Sequence, residues 1–118
     1  MLADYHILVV EDELLTALEL ITILTREGAI VLGPAQSVPD AMRFVANRAI
    51  DCAILDIKLI DGNSFAIADA LAERHVPYIF VTGYDRRVVP FRHRETPTVP
   101  KPFTHADILR AVGGLVAA

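Results

Sequence analysis

The amino-acid sequence predicts an α/β domain whose parallel β-sheet is covered by helices on both faces. Short apolar runs alternate with longer amphipathic runs along the whole chain, which is the order of strands and helices in such a fold. The short runs are almost continuously apolar, as in strands that are buried on both sides. With 118 residues, the chain has the length of one domain with a core of its own. We therefore expect a single domain over residues 1–118.

Five stretches are candidates for strands. Four are strongly apolar, at 6–10 (HILVV), 29–33 (AIVLG), 51–55 (DCAIL) and 78–82 (YIFVT), and a weaker one lies at 96–100 (TPTVP). The prolines of the weaker stretch lack the N–H that a sheet requires, so it offers few residues for pairing. Cys52 is the sole cysteine. Because there is no second cysteine, an internal disulfide is excluded. The place of Cys52 in the third stretch predicts a buried thiol.

Helices are expected between the strands, at about 13–27, 37–48, 64–74 and from 104 onwards. Ser37 and Thr104 are suited to begin the second and the last helix, and Asp107 completes a capping box with Thr104. Gly28 follows the first helix, where a left-handed cap residue is common. The glycine pair at 113–114 is expected to fray the last helix.

The first helix carries more apolar residues than one buried face needs. On a helical wheel, the face expected to pack on the sheet comprises Leu14, Ala17, Leu18, Ile21 and Leu24. A surplus of apolar surface remains at Leu15, Leu20 and Ile23.

A regular helix is not expected between the fourth and fifth strands. From 85 to 95 the chain reads DRRVVPFRHRE, with Pro90 in the middle. A proline inside a helix costs about 3 kcal/mol. We expect a short turn or a mobile loop there instead.

The composition excludes several function classes. Apolar residues make up 53% of the chain and charged residues 22%, which is typical of a compact domain and not of a disordered tail. No apolar run approaches the roughly 20 residues of a membrane span, and the N-terminus resembles no secretory signal, so a cytoplasmic protein is expected. The net charge of −4 disfavours nucleic acid as a partner, although the segment 86–94 contains four arginines.

Polar residues follow the carboxyl ends of the expected strands. These residues are Glu11 and Asp12 after the first strand, Asp56 after the third, Thr82 at the fourth and Lys101 after the fifth. In an open parallel sheet such ends meet along one edge, where ligands bind. Each residue alone has an ordinary role as a turn, a cap or a surface charge, and Glu13 next to them is explained by the helix dipole. Together they predict a site.

The three carboxylates of this site would repel one another, which favours a cation among them. Mg²⁺ fits best, because it prefers oxygen ligands, keeps several waters and needs only one or two protein carboxylates. A lysine and a hydroxyl beside it favour phosphoryl chemistry, in which both can contact the oxygens of the transferred group. Asp56 is the best candidate for a nucleophile that forms an acyl phosphate, while Glu11 and Asp12 form the metal pair.

Four motifs resemble, in order and in approximate spacing, the signatures of bacterial response-regulator receiver domains. They are VVED at 9–12, AILDIKL at 53–59, FVTGY at 80–84 and KPF at 101–103, and together they extend over nearly the whole chain. The resemblance implies a flavodoxin-like, doubly wound sheet of five parallel strands in the order 2-1-3-4-5. It also implies that a sensor histidine kinase phosphorylates Asp56.

The same resemblance implies a role for each residue of the site. Asp12 and Asp56 would bind Mg²⁺ directly, Glu11 through water, and the backbone carbonyl of Lys58 would complete the metal site. Thr82 and Lys101 would contact the phosphoryl oxygens. The side chains of Lys58 and Tyr84 would border the phosphoryl group and set its lifetime, unless they are simply exposed side chains.

The sequence departs from the common receiver pattern in three ways. Thr98 occupies the position three residues before Lys101, where most receivers have an aromatic switch residue. The loop after Asp56 is short and lacks its usual proline, and the fourth helix is doubtful. These departures occur together in the branch nicknamed for its FATGUY motif, which FVTGY resembles, although an ordinary strand and glycine turn would also explain that motif. In that branch, signalling would proceed by ordering the segment 83–97.

Members of that branch are often stand-alone receivers that work with kinases of the HWE or related classes. The leading hypothesis is therefore a stand-alone response regulator, not an enzyme, which signals by protein contact or acts as a phosphate sink. The alternatives are a pseudo-receiver that is never phosphorylated, or a receiver fragment of a larger regulator or hybrid kinase. An aspartate-nucleophile phosphohydrolase is disfavoured, because such enzymes resemble DxDxT after the first strand, whereas Asp12 is followed by Glu13 and Leu14.

Receivers of this family dock on the kinase through the first helix and the loop after the fifth strand. The surplus residues of the first helix, Leu15, Leu20 and Ile23, are therefore our predicted docking surface. Helix packing or a homodimer would cover the same residues equally well.

Overall fold

The computed structural model describes residues 2–83 and 86–116. These residues form seven strands: β1 (His6–Val10), β2 (Ile30–Ala35), β3 (Cys52–Asp56), β4 (Lys58–Leu59), β5 (Gly62–Asn63), β6 (Tyr78–Thr82) and β7 (Thr98–Pro100). The main sheet is parallel and has the order β2-β1-β3-β6-β7. Strands β4 and β5 pair in a small antiparallel hairpin, which has no counterpart among the predicted elements. Without that hairpin the order is the predicted 2-1-3-4-5, so the flavodoxin-like fold is confirmed.

Helices cover both faces of the main sheet. They are α1 (Leu14–Arg26), α2 (Val38–Asn47), α3 (Phe65–Glu73) and α4 (His105–Val116). Residues of α1 and α4 share a buried apolar cluster with Ile7 and Val9, and residues of α2 and α3 share another with Leu8 and Val10. Since successive side chains of a strand point to opposite faces, β1 contributes to both clusters. None of the helices in the described residues combines the length and apolarity that a membrane span requires.

The predicted caps are present. The Ser37 hydroxyl accepts a hydrogen bond from the N–H of Asp40 at 3.3 Å. Thr104 and Asp107 exchange the two hydrogen bonds of a capping box, at 2.9 and 3.1 Å. Gly28 has a φ of +91°, the left-handed conformation expected after α1. Local sequence therefore determines where three of the helices begin or end.

The prediction that glycines at 113–114 fray the last helix is wrong. Helix α4 continues through both of them to Val116. Val112 is fully buried, and Leu115 and Val116 pack against the same apolar cluster. Packing on the sheet thus outweighs the low helix propensity of the two glycines.

In its described part, the segment between β6 and β7 contains no regular helix, as Pro90 predicted. Its described part forms two 3₁₀ turns, Arg86–Val88 and Phe91–His93, separated by Pro90. The second turn is anchored by its buried residue, His93.

The predicted buried face of α1 is wrong in part. Leu14 and Leu18 are 56% and 49% exposed, whereas the buried residues of the helix are Ala17, Leu20, Ile23 and Leu24. Two apolar stripes overlap on this helix, and periodicity alone does not choose between them. Packing against α4 decides which stripe is buried, because Leu20 and Ile23 belong to the same buried cluster as Ile108 and Val112.

The predicted docking surface is corrected by the same packing. Leu20 and Ile23 are only 1% and 2% exposed, so neither is available to a partner. Leu15 is 79% exposed and remains part of the accessible surface. Leu20 and Ile23 are therefore explained by helix packing, which was one of the alternatives to kinase docking.

Candidate functional site

Three carboxylates meet at the carboxyl edge of the sheet, where the strand ends predicted a site. Glu11 and Asp12 follow β1, and Asp56 is the last residue of β3, which lies beside β1. One oxygen from each residue lies within 4.8 Å of the others. Glu11 and Asp56 are buried, whereas Asp12 is partly exposed. The cluster is therefore accessible from solvent on the side of Asp12.

Glu11 is positioned by an irregularity in the neighbouring strand β2. Gly33 has a φ of +106°, and a Cβ at this position would lie 2.6 Å from the carbonyl oxygen of Val9. Only glycine fits such a close approach in this conformation. Just beyond it, the carbonyl of Ala35 accepts a hydrogen bond from the Glu11 N–H at 2.9 Å. The bend in β2 thus fixes the backbone from which the Glu11 side chain extends.

Lys101 joins the cluster from the end of β7. Its Nζ donates hydrogen bonds to Glu11 Oε1 at 2.7 Å and to Asp56 Oδ2 at 3.1 Å. Its backbone N–H donates to the carbonyl of Thr82 at 3.0 Å, which ties the end of β7 to that of β6. The ammonium is therefore held between two buried carboxylates, a pair of contacts that the sequence did not predict although it placed Lys101 at this edge.

Within the cluster, the pKa values of Glu11 and Lys101 both rise above their ordinary values. Burial and, after it, the neighbouring Asp56 carboxyl raise the pKa of Glu11 to about 7, against the lowering effect of Lys101. Burial lowers the pKa of Lys101, but its hydrogen bond to Glu11 and the charge of Asp56 outweigh this, and the pKa rises above its usual value.

The donor set fits a hard divalent cation. Its ligand atoms are carboxylate oxygens, which Mg²⁺ prefers, and they converge closely enough to share one ion. Burial and the neighbouring Asp56 both disfavour the charged form of Glu11, and a nearby cation would favour it. Asp12 and Asp56 would hold such an ion, with Glu11 beside them, and the exposure of Asp12 leaves room for waters on the ion.

Thr82 is brought to the same edge by strand pairing. It ends β6 and is 1% exposed. Its neighbour Val81 pairs with Asp56 in the parallel register of β3 and β6. The hydroxyl-bearing residue therefore lies one position beyond the partner of Asp56, at the edge where the carboxylates meet.

The two predicted modulating residues differ in what the structure shows. Lys58 is exposed and pairs with Asn63 in the β4–β5 hairpin, two residues after Asp56. The role of its backbone carbonyl as a metal ligand stays a prediction. Tyr84 lies outside the described residues.

Comparison with known proteins identifies the family. The sequence pattern of the response regulator receiver domain matches residues 7–113. The chain belongs to the response-regulator receiver family. Phosphorylation and Mg²⁺ binding in an acidic pocket are general properties of receiver domains, which interact with histidine kinases.

Several receivers are similar over most of this chain. The solution structure of SdrG from Sphingomonas melonis matches with a TM-score of 0.85 and 38% identity, covering 98% of this chain and 99% of SdrG. The beryllofluoride-activated conformation of SdrG matches with a TM-score of 0.81. The phyllosphere-induced regulator PhyR from Methylorubrum extorquens is 34% identical over 107 residues, 87% of this chain and 40% of PhyR.

The sensory transduction protein LytT from Bacillus anthracis is 33% identical over 110 residues, 90% of this chain and 45% of LytT. This receiver chain thus spans less than half the length of LytT and of PhyR. It spans nearly the whole of SdrG.

One hydrogen-bonded group around the buried His93 has no counterpart among the predicted site residues. Tyr78, His93 and Asp69 form a hydrogen-bonded chain between β6, the second 3₁₀ turn and α3. The sequence signal was a histidine within an otherwise arginine-rich segment. Nothing in that segment indicates which of its polar residues is buried, because the burial depends on contacts with distant elements.

Proposed function

We propose that this receiver accepts a phosphoryl group on Asp56 from a sensor histidine kinase, in a reaction that depends on Mg²⁺. The observation that carries the proposal is the ammonium of Lys101 held between Glu11 and Asp56, with Asp12 beside them. All residues that the chemistry needs are present and converge at one edge of the sheet. A pseudo-receiver, which is never phosphorylated, would be free to lose at least one of them.

In the proposed transfer, a carboxylate oxygen of Asp56 attacks the phosphorus of a phosphohistidine on the kinase. The new O–P bond forms as the P–N bond breaks, and the electron pair returns to the imidazole ring. Lys101 already lies 3.1 Å from Asp56 and donates a hydrogen bond to one phosphoryl oxygen as Asp56 forms the new bond to phosphorus. Thr82 lies one position beyond the strand partner of Asp56, and its hydroxyl donates a hydrogen bond to a second phosphoryl oxygen. Bound Mg²⁺ supplies positive charge that stabilises the phosphoryl oxygens.

Asp12 and Asp56 would hold the metal in this scheme, with Glu11 beside them. Burial raises the pKa of Glu11, and a nearby cation would favour the charged form of this carboxyl. Metal binding and charging of Glu11 therefore support each other. The scheme ends at an acyl phosphate on Asp56, so the protein acts as a switch and not as an enzyme with a released product.

We further propose a stand-alone regulator of the FATGUY branch, with a kinase of the HWE or a related class as its partner. The similarity to SdrG over nearly its whole length supports this proposal. The output is contact with a partner protein or passage of the phosphate between kinases. A receiver that forms part of a larger regulator or hybrid kinase is the second candidate, which the longer relatives LytT and PhyR favour.

The kinase-docking surface is proposed on α1 and the loop after β7. Leu14, Leu15 and Leu18 are the exposed apolar residues of the helix. A cavity of about 330 Å³ joins the two elements and is lined by Glu13, Thr16, Glu19, Lys101, Pro102 and Phe103. The corrected surface therefore keeps Leu15 from the original prediction and replaces its two buried members.

The test is incubation with Mg²⁺ and a small acyl-phosphate donor, followed by intact mass measurement. The wild type should gain one phosphoryl group that is stable in acid and labile in base, and Asp56→Asn should gain none. Asp40→Asn is the matched control, because Asp40 is a carboxylate on α2 that pairs with Arg43 instead of the site. No gain in a wild type that binds Mg²⁺ would overturn the proposal in favour of the pseudo-receiver.

A further inference from the structure

A groove lies between the β4–β5 hairpin, the start of α3 and the first 3₁₀ turn. Its volume is about 310 Å³, and it is lined by Ile57, Lys58, Gly62, Asn63, Phe65 and Val88. Lys58 is the only charged residue in this lining, as far as the described residues go, and it is exposed. The groove is therefore a mainly apolar surface that carries one accessible cation.

The walls of the groove are held in place by contacts outside it. Both carboxylate oxygens of Asp61, in the turn of the hairpin, accept hydrogen bonds from the backbone N–H of Val38 on α2, at 3.2 and 3.3 Å. On α3, the ring of Phe65 meets Phe80 edge-on at 5.9 Å and is stacked on His93 at 6.1 Å. A surface that is preformed in this way loses little conformational entropy when it binds a partner.

Exposed apolar residues and cations lie on the elements that form the groove and in the turn next to it. Ile60 in the hairpin is 80% exposed, and Val88 and Phe91 in the two 3₁₀ turns are 49% and 87% exposed. The segment 86–94 contains four arginines and no acidic residue, in a chain with a net charge of −4. Exposed apolar side chains that gather in one region indicate an interaction surface. Its partner should present apolar side chains together with negative charge.

The exposed face of α1 has this combination. Its apolar residues Leu14, Leu15 and Leu18 are exposed, and so are Glu13 and Glu19 next to them. Residues three or four positions apart are neighbours on a helix surface, so these leucines and glutamates share one side of α1. The only basic residue of the helix is its last one. The face therefore matches the groove both in apolar character and in charge.

We propose that the groove receives the exposed face of α1 from a second copy of this chain. The leucines of α1 enter the apolar groove, and its glutamates lie near Lys58 and the arginines of 86–94. Helix α1 belongs to the apolar cluster on one face of the sheet, whereas α3, which contributes Phe65 to the groove, belongs to the cluster on the other. Because the two surfaces lie on opposite faces, the copies associate head-to-tail.

The association is weak and depends on concentration. Two copies that each carry a net charge of −4 repel one another at long range, and only the contact between α1 and the groove opposes this. The α1 surface is also our proposed kinase-docking surface, so a copy whose α1 is covered in this way is unavailable to the kinase. This consequence rests on the proposed function, whereas the association itself does not.

The test is sedimentation equilibrium of the unphosphorylated full chain, over a concentration series up to about 1 mM, where weak contacts are populated. The average mass of the wild type should rise with concentration. Leu15→Gln and Val88→Gln each replace one exposed apolar side chain on one of the two surfaces, and each should weaken association about tenfold. Ile30→Gln is the matched control, because Ile30 is an exposed apolar residue on β2 outside both surfaces, and it should behave as the wild type.

A mixture of the two variants tests the head-to-tail arrangement. Leu15→Gln retains an intact groove, and Val88→Gln retains an intact α1, so one native contact forms between them. The mixture should therefore form a one-to-one complex that is about tenfold tighter than the association of either variant alone. A symmetric dimer through either surface by itself would not be restored by mixing.

Three outcomes would overturn this inference. A wild type that stays monomeric over the whole series would exclude a second copy from the groove and favour an acidic segment of another protein as its occupant. A mixture that associates no more than the separate variants would rule out the head-to-tail contact. Equal weakening by Ile30→Gln would show that neither surface is specific. Because no kinase, Mg²⁺ or phosphoryl donor is present, none of these outcomes affects the proposed phosphoacceptor function.

Discussion

The ammonium of Lys101 lies 3.1 Å from the carboxylate of Asp56, although 45 residues separate them in the chain. The same ammonium bonds Glu11 at 2.7 Å. Without a metal, Lys101 is thus the principal positive charge of the acidic cluster. It also lies where an incoming phosphoryl group would need a donor. These two roles make opposite predictions for a variant that lacks the charge.

Replacing Lys101 by methionine should strengthen metal binding and weaken phosphorylation. With the competing ammonium gone, Mg²⁺ meets a more negative site, and its affinity should rise about fivefold. Loss of the oxyanion donor should slow phosphorylation by an acyl phosphate about 100-fold. Titration with Mg²⁺ and time-resolved intact mass measure the two effects. Arg110→Met, which removes an exposed charge on α4, should change neither quantity. Parallel losses of both would contradict the two roles.

The corrected packing of α1 predicts unequal effects of two leucine substitutions. Leu20→Ala leaves a cavity between α1 and the sheet and should lower the free energy of unfolding by about 3 kcal/mol. Leu15→Ala removes an exposed side chain and should change it by less than about 0.5 kcal/mol. Urea denaturation measures both. Similar losses for the two variants would contradict the observed orientation of the helix.

The role of Leu15 in docking needs a separate measurement. Leu15→Asp should slow phosphotransfer from the cognate kinase but leave phosphorylation by a small acyl phosphate unchanged, because only the kinase needs the helix surface. Equal kinase rates for the variant and the wild type would remove Leu15 from the proposed docking surface.

The single thiol should be unreactive in the folded protein. Cys52 is fully buried in β3, and burial, together with the charge of Asp51, raises its pKa to about 12. The thiolate is the reactive form, so a disulfide reagent at pH 8 should label the native protein only at the rate at which it unfolds. Urea should release one reactive thiol per chain. Rapid complete labelling of the native state would show that β3 is accessible.

The bidentate ion pair between Arg92 in the second 3₁₀ turn and Asp69 on α3 predicts a pH effect of known sign. Hydrogen bonding by Arg92 holds the pKa of Asp69 below its ordinary value of 3.8, and His93 adds to this. A depressed carboxyl pKa stabilises the fold above the unfolded value, and the contribution is lost as the pH falls through the lower folded value. Carboxyl NMR titration should therefore find the pKa of Asp69 higher in Arg92→Ala than in the wild type. Arg43→Ala, which breaks a surface pair on α2, should leave it unchanged.

Much of the fold was determined by the sequence alone. The runs at 7–10 and 79–81 are apolar throughout, which is the pattern of strands buried on both faces, and β1 and β6 are buried there. Local hydrogen bonds fix the ends of helices, as at Ser37 and Thr104. In a parallel sheet, strand order alone brings Glu11, Asp56 and Lys101 to one edge. These features depend on local pattern and on topology, and both can be read from residue order.

Other features were decided only by tertiary structure. Two apolar stripes on α1 are equivalent by periodicity, and contact with α4 buries Leu20 and Ile23 instead of Leu14 and Leu18. His93 is in contact with α3 and β6, and no local pattern distinguishes it from the exposed residues beside it. In both cases the free energy that stabilises the buried side chain comes from contacts with residues that are distant in the chain. Residue order therefore determined where the acidic cluster and Lys101 meet, whereas packing between elements determined which surface of α1 is exposed and that His93 is buried.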